Sequence, residues 1–162
     1  MFDQFNTHPD AERGLLACCA SPRWASRVAA RRPFADVDAL VKAGDAELAT
    51  LEWDGIAEAL SAHPRIGDRA TGTDREAVWS RGEQAAAAES ADDVKAQLAA
   101  GNAEYERRFD RVFLICATGL GAPEILAALR SRLGNDDETE REVVREELRK
   151  IVALRLRKLV AA

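Results

Sequence analysis

Apolar residues along the chain recur at spacings of three and four rather than alternating, and Ala, Leu, Glu and Arg dominate the segments that carry them. The pattern predicts an all-α protein. Ser21-Pro22 opens a short helix bearing Trp24 and Val28, and Arg32-Pro33 closes it, because proline disfavours helical backbone at the residue before it. Asp36 is expected to cap the next turns, with Val37, Leu40 and Val41 inside and Gly44 just past the end. Asp45 then begins a helix in which Leu48, Leu51, Glu52, Ile56, Ala59 and Leu60 fall at helical spacing. It must end near His63, since Pro64 follows.

From Pro64 to Thr73 the chain is polar and turn-like, with Gly67 and Gly72, and reads as a loop. Thr73-Asp74-Arg75-Glu76 fits a capping box, so a helix through Ala88 is expected after it. Ser90-Ala91-Asp92-Asp93 starts a longer segment holding Val94, Leu98, Tyr105, Phe109, Val112, Phe113 and Cys116, with Gly101-Asn102 as the place for a bend or break. The run Val112-Phe113-Leu114-Ile115-Cys116-Ala117 suits a buried strand by composition, but no partner strand is predicted elsewhere, so it is read as buried helix. The sequence from Thr118 to Pro123 is a glycine-rich bend, with Pro123 suited to the first turn of the helix that follows. Gly134-Asn135 ends that helix, and a last one runs from about Glu138 to the end. No linker or repeat separates these parts, so one helical domain over residues 1–162 is expected.

Length and charge narrow the function. A chain of 162 residues removes roughly 68–70% of its unfolded surface from water, enough for a core without disulfides or metal. With 23 Lys+Arg against 28 Asp+Glu the net charge is 23 − 28 = −5, which opposes nucleic-acid binding, since such domains rely on clustered cations. Cys18, Cys19 and Cys116 give neither a disulfide framework nor zinc spacing, and point to a reducing compartment. No basic leader, membrane-length apolar run or retention tripeptide is visible, so a cytoplasmic protein without membrane contact is expected.

Few residues stand out as candidates for chemistry. The two histidines, His8 and His63, lack carboxylate or thiolate spacing for a metal, and none is expected. His63, held extended by Pro64 at a helix-to-loop corner, suits proton transfer near neutrality. By itself it is better read as a helix-end histidine meeting the negative end of the dipole. Ser80, Glu83 and Gln84 share one helix face and offer donors and acceptors to a ligand, although such faces are more often simply solvated.

The last helix is more informative. At roughly 100° per residue from Leu148, Ile151, Val152 and Leu159 fall within about 60°, and Arg155 falls about 20° from that direction. Arg155 therefore sits in the apolar stripe, whereas Arg157 points nearly the opposite way. A core-facing guanidinium must meet an anion, either a ligand or an internal carboxylate, or else run along apolar surface with its head in water. The bend from Cys116 to Ala122 offers backbone amides at a helix N-terminus, though a Gly-x-Gly bend is usually only a turn.

Taken in order, these residues resemble the 2-oxo-4-hydroxy-4-carboxy-5-ureidoimidazoline (OHCU) decarboxylases of urate degradation. The shared text is His63-Pro64-Arg65-Ile66-Gly67, Ser80-x-x-Glu83-Gln84, Asn102-x-x-Tyr105-x-x-x-Phe109, Ile115-Cys116-Ala117, Arg130-Ser131-Arg132-Leu133 and Arg155-Leu156. The ordered set is specific where each member is not. One departure is Phe109-Asp110-Arg111, where members often carry Phe-Gly.

The resemblance implies an all-helical lyase needing no cofactor, commonly a homodimer, that converts the ureidoimidazoline to (S)-allantoin. It maps the catalytic histidine to His63 with Glu83 beside it, and substrate contacts to Pro64, Ser80, Gln84, Arg155 and the main chain from Ile115 to Gly119, that is Ile115, Cys116, Ala117, Thr118 and Gly119. In the substrate, a C=N bond beside the carboxylated carbon accepts the electrons left by carbon dioxide, so no cofactor sink is required. The competing reading is an inactive helical interaction module of the same fold. The enzyme is favoured because every polar landmark is present.

Overall fold

The computed structural model describes residues 2–64, 75–83 and 92–161, the side chains of 75–77 excepted. Among them are nine helices and no strand, as the periodicity predicts. The chain divides into two compact units, Met1–Ala62 with Leu148–Ala162, and His63–Glu147.

The first unit holds α1 (Phe2–Thr7), α2 (Ala11–Cys18), α3 (Pro22–Ala30), α4 (Val37–Thr50) and α5 (Trp53–Leu60). It also holds the second half of α9 (Asp137–Ala161), from Leu148 onward. Caps set the starts: Ser21 Oγ accepts from the Trp24 amide at 3.3 Å, and Asp36 Oδ1 from the Ala39 amide at 2.8 Å, each satisfying a donor the helix cannot. Leu15, Trp24, Val28, Leu40, Leu48, Ile56, Leu148, Val152 and Leu156 are buried. Arg32 closes the N-terminal turn, its Nη1 donating to the carbonyls of Phe5 at 3.0 Å and His8 at 2.9 Å.

Gly44 does not end a helix, contrary to the expectation from sequence. It lies inside α4, which is continuous to Thr50, and the break falls at Leu51 and Glu52, both extended. The reason is close approach rather than backbone freedom. The Trp24 indole N–H donates to the Gly44 carbonyl at 3.0 Å, and a Cβ at residue 44 would come within 2.9 Å of Leu156 Cδ1. A larger residue would displace the core.

The second unit holds α6 (Arg75–Glu83), α7 (Asp92–Phe109), α8 (Ala122–Arg132) and the first half of α9. α7 runs unbroken through Gly101-Asn102, with Gly101 lying against Leu129 of α8. Leu98, Tyr105, Phe109, Phe113, Ile125 and Leu129 form the core between them. Pro123 takes the first turn of α8 as predicted, and Glu124 Oε2 accepts from the Gly121 amide at 3.0 Å. At the start of α9, Asp136 Oδ1 accepts from the Thr139 amide at 2.7 Å, and the bonds to Thr139 hold that carboxyl below its ordinary range. The expected capping residue Thr73 and the helix beyond Glu83 lie outside the described residues.

The run from Val112 to Ala117 is not helix, which corrects the reading from composition; it carries neither helical nor strand structure. Asp110 ends α7 with φ of +56°, in the left-handed region, while its amide still donates to Glu106 at 2.8 Å. The apolar side chains from Val112 to Ala117 are buried or half-buried all the same.

Candidate active site

α5 stops at Leu60, and two turn residues then lead to His63 and Pro64, both half-buried. The helix thus ends before the His-Pro pair, as its proline demands. On α6, Ser80 is buried and Glu83 half-buried one turn later, so hydroxyl and carboxylate lie on one face. Ser80 is therefore no ordinary solvated helix residue. Gln84, like Arg65, Ile66 and Gly67, lies outside the described residues.

Between α7 and α8, Ile115 and Ala117 are buried, Cys116 is half-buried, and Thr118 and Gly119 are exposed. Gly119 has φ of +82°, which an L side chain adopts only with strain, and the turn is closed by the Leu120 amide donating to the Ala117 carbonyl at 3.0 Å. The glycine-rich text is here a turn that brings main chain to the surface.

Without a helical ladder, this segment's buried peptide groups need other partners. Arg132 Nη1 donates to the Leu114 carbonyl at 2.7 Å, and Glu147 Oε1 accepts from the Cys116 amide at 3.0 Å. Arg132 is fixed in turn by Glu140, its Nε donating at 2.9 Å and its Nη2 at 2.5 Å to Oε2, and its guanidinium lies 4.4 Å from the Phe113 ring centroid. The fully buried Glu140 also accepts from Tyr105 Oη at 2.6 Å and Asn135 Nδ2 at 3.1 Å. Burial, then the bond to Glu140 and its charge, push the Tyr105 hydroxyl well above the ordinary tyrosine range.

Sequence reasoning missed Glu140 and Glu147. They stand among many glutamates of a charged helix, and only their placement opposite Arg132 and Cys116 singles them out.

Arg155 belongs to the first unit and is 1% exposed, as its place in the apolar stripe predicts. Its Nη1 donates to the Ala17 carbonyl at 3.3 Å. Arg157 is exposed, with Nη2 2.9 Å from Asp38 Oδ1. His8 is also exposed, its Nδ1 accepting from the Asp10 amide at 3.0 Å, a turn-stabilising role. Within the second unit, then, stand an imidazole, a hydroxyl, a carboxylate and an exposed main-chain turn. Among the described residues no three His, Cys, Asp or Glu side chains are grouped to hold a metal, and no helix is long and apolar enough to cross a membrane.

The sequence profile of the OHCU decarboxylase family matches residues 6–157, and so runs through both units. The chain belongs to the OHCU decarboxylase family. A 2-oxo-4-hydroxy-4-carboxy-5-ureidoimidazoline decarboxylase of Amia calva is 34% identical over 144 residues, covering 86% of this chain and 81% of that one. The uric acid degradation bifunctional protein TTL of Arabidopsis thaliana is 32% identical over 145 residues, which are 88% of this chain; this chain spans 45% of that longer protein. Among solved structures, an OHCU decarboxylase crystallised in the presence of (S)-allantoin aligns with a TM-score of 0.79 at 28% identity, over 91% of this chain and 96% of that one. The family's all-α architecture is therefore shared along nearly the whole chain.

Proposed function

We propose that this member of the OHCU decarboxylase family is a carboxy-lyase that converts 2-oxo-4-hydroxy-4-carboxy-5-ureidoimidazoline to (S)-allantoin in urate degradation. The observation that carries the reading is the family match over residues 6–157, supported by decarboxylase relatives along most of their length. The bond to the carboxylate breaks, its electron pair forms a double bond to the adjacent C=N carbon while the C=N pair moves onto nitrogen, which takes a proton from solvent, and carbon dioxide leaves. The hydroxyl-bearing carbon becomes a carbonyl, and the neighbouring carbon takes a proton on one face. The substrate's own C=N bond accepts the electrons, so the reaction calls for no cofactor.

In this reading His63 takes the hydroxyl proton, and Glu83 orients it or hydrogen-bonds the ureido group. Arg155 holds anionic or carbonyl oxygen, Ser80 and Gln84 fix the ring, Pro64 lines the substrate, and the main chain of residues 115–119 supplies further hydrogen bonds. A half-buried imidazole and the buried Ser80 support these roles, because water competes less for groups so placed. The family resemblance supports a homodimer, which sedimentation would test. Three cysteines without a disulfide among the described residues support a cytoplasmic location.

The test generates the substrate in situ from urate and follows the circular dichroism of the allantoin formed. Optically active allantoin, faster than background and without added metal or organic cofactor, is expected. Racemic allantoin at the uncatalysed rate, with folded protein present, rejects the reading in favour of an interaction module.

A further inference from the structure

The segment from Val112 to Ala117 lies in the second unit with no regular structure, yet it leads into the turn at Thr118 and Gly119. Two side chains hold its main chain on either side of Ile115. Arg132 takes the Leu114 carbonyl at 2.7 Å, and Glu147 takes the Cys116 amide at 3.0 Å. These holds differ in kind. Arg132 is locked in a buried network with Glu140, Tyr105 and Asn135, whereas Glu147 is a half-buried carboxylate reaching from α9. A charged acceptor on a backbone amide is a strong hydrogen bond, and it fixes the orientation of the Ile115–Cys116 peptide plane.

We infer that Glu147 is a positioning residue for the decarboxylation: by holding the Cys116 amide it sets the main chain of residues 115–119 in the orientation that meets the substrate. The inference rests on the proposed function, in which that main chain touches the ligand. Glu147 itself acts through the peptide. Truncating it removes the carboxylate from the Cys116 amide and so loosens the register of these five residues. Glutamine, whose Oε1 also accepts, keeps the hold without the charge.

The test compares Glu147→Ala and Glu147→Gln in steady-state kinetics, in thermal melting, and in amide hydrogen exchange of the peptide covering residues 112–119. In Glu147→Ala, kcat/KM is expected to fall about tenfold to a hundredfold, as misplacement of binding groups by an ångström does. KM should rise, and exchange at 112–119 should quicken. Glu147→Gln should restore most of both. Should the alanine variant not fold, Glu147→Asp, which retracts the carboxylate by one methylene, takes its place with the same expected losses. Unchanged KM, with kcat scaled only to the folded fraction, overturns the inference, as does equal impairment by Ala and Gln. If the wild-type chain forms only racemic allantoin, the proposed function falls; if exchange at 112–119 is the same in Glu147→Ala as in wild type, the hold on Cys116 falls separately.

Discussion

Arg132 and Glu140 form a buried pair eight residues apart, the guanidinium donating through Nε at 2.9 Å and Nη2 at 2.5 Å while the carboxylate is fully shielded from water. Removing one partner leaves a desolvated charge. Arg132→Met is expected to cost about 3–5 kcal/mol, measured by denaturant unfolding, and the double change Arg132→Met with Glu140→Leu to recover a large part of it. Equal losses in the single and double variants would show that the pair is not where the cost lies.

Tyr105 is the chain's one tyrosine, so its titration is readable without assignment. Its hydroxyl is buried against Glu140 and held above the ordinary range. The unfolded chain ionises near pH 10 or so, whereas the folded chain does so only at higher pH. This group's contribution to stability is therefore intact below that region and is lost as pH rises above it. Ultraviolet difference spectra at pH 10 should show almost no phenolate in the folded protein and about half of the full signal in denaturant. Phenolate at pH 10 with the fold intact contradicts the hydrogen bond.

Asp110 stands at φ of +56°, in the left-handed region that favours glycine. Its side chain is exposed, so replacement should release backbone strain and little else. Asp110→Gly is expected to stabilise by about 0.5–1 kcal/mol, and Asp110→Val to destabilise by about 1–2 kcal/mol, both read from thermal melts. A valine variant as stable as the parent would mean that the turn relaxes.

His63→Ala is expected to leave the melting curve near that of the parent and to lower kcat by about 100-fold to 10,000-fold, the usual span for a proton-transfer group. His8→Ala should change neither. Full activity in His63→Ala would move proton transfer to Glu83, the next candidate.

Arg155→Met should abolish substrate or allantoin binding and cost about 1–2 kcal/mol of stability, because methionine fills the apolar stripe but leaves the Ala17 carbonyl without its donor. Arg157→Met, which breaks only an exposed pair with Asp38, should change stability by less than about 1 kcal/mol. Titration calorimetry and melting of both variants separate a ligand role from a structural one. Strong destabilisation of Arg155→Met, with binding kept by the folded fraction, rejects the assignment.

Much of this was legible in the sequence because caps and prolines act locally. Asp36, Ser21 and Pro123 start helices where the pattern says, and Pro64 stops α5 ahead of His63. Gly44 misled because the side chains that crowd it, Leu156 and Trp24, lie 112 and 20 positions away and are invisible to a local rule. The run ending at Ala117 misled for a similar reason. Its Leu114 carbonyl and Cys116 amide are held by Arg132 and Glu147, 18 and 31 positions on, partners that periodicity does not see. The candidate site was legible as residue types in order, whereas the side chains that hold its main chain were not, since nothing distinguishes Glu140 or Glu147 from its neighbours until the fold pairs it.

The first unit is assembled from two ends of the chain. Leu156 sits over Gly44, Arg155 reaches the Ala17 carbonyl, and Arg157 meets Asp38, contacts spanning up to 138 positions. During synthesis on the ribosome, the N-terminal helices of this unit wait for the last turns of α9, whereas residues 63–147 belong to a compact unit that is complete in sequence once Glu147 emerges. The N-terminal helices cannot complete their core ahead of the C-terminal turns, against the usual order in which N-terminal parts fold first. The earliest-made helices expose their apolar faces longest, and a chain stopped within α9 after Glu147 lacks the segment from Leu148 onward that completes their unit.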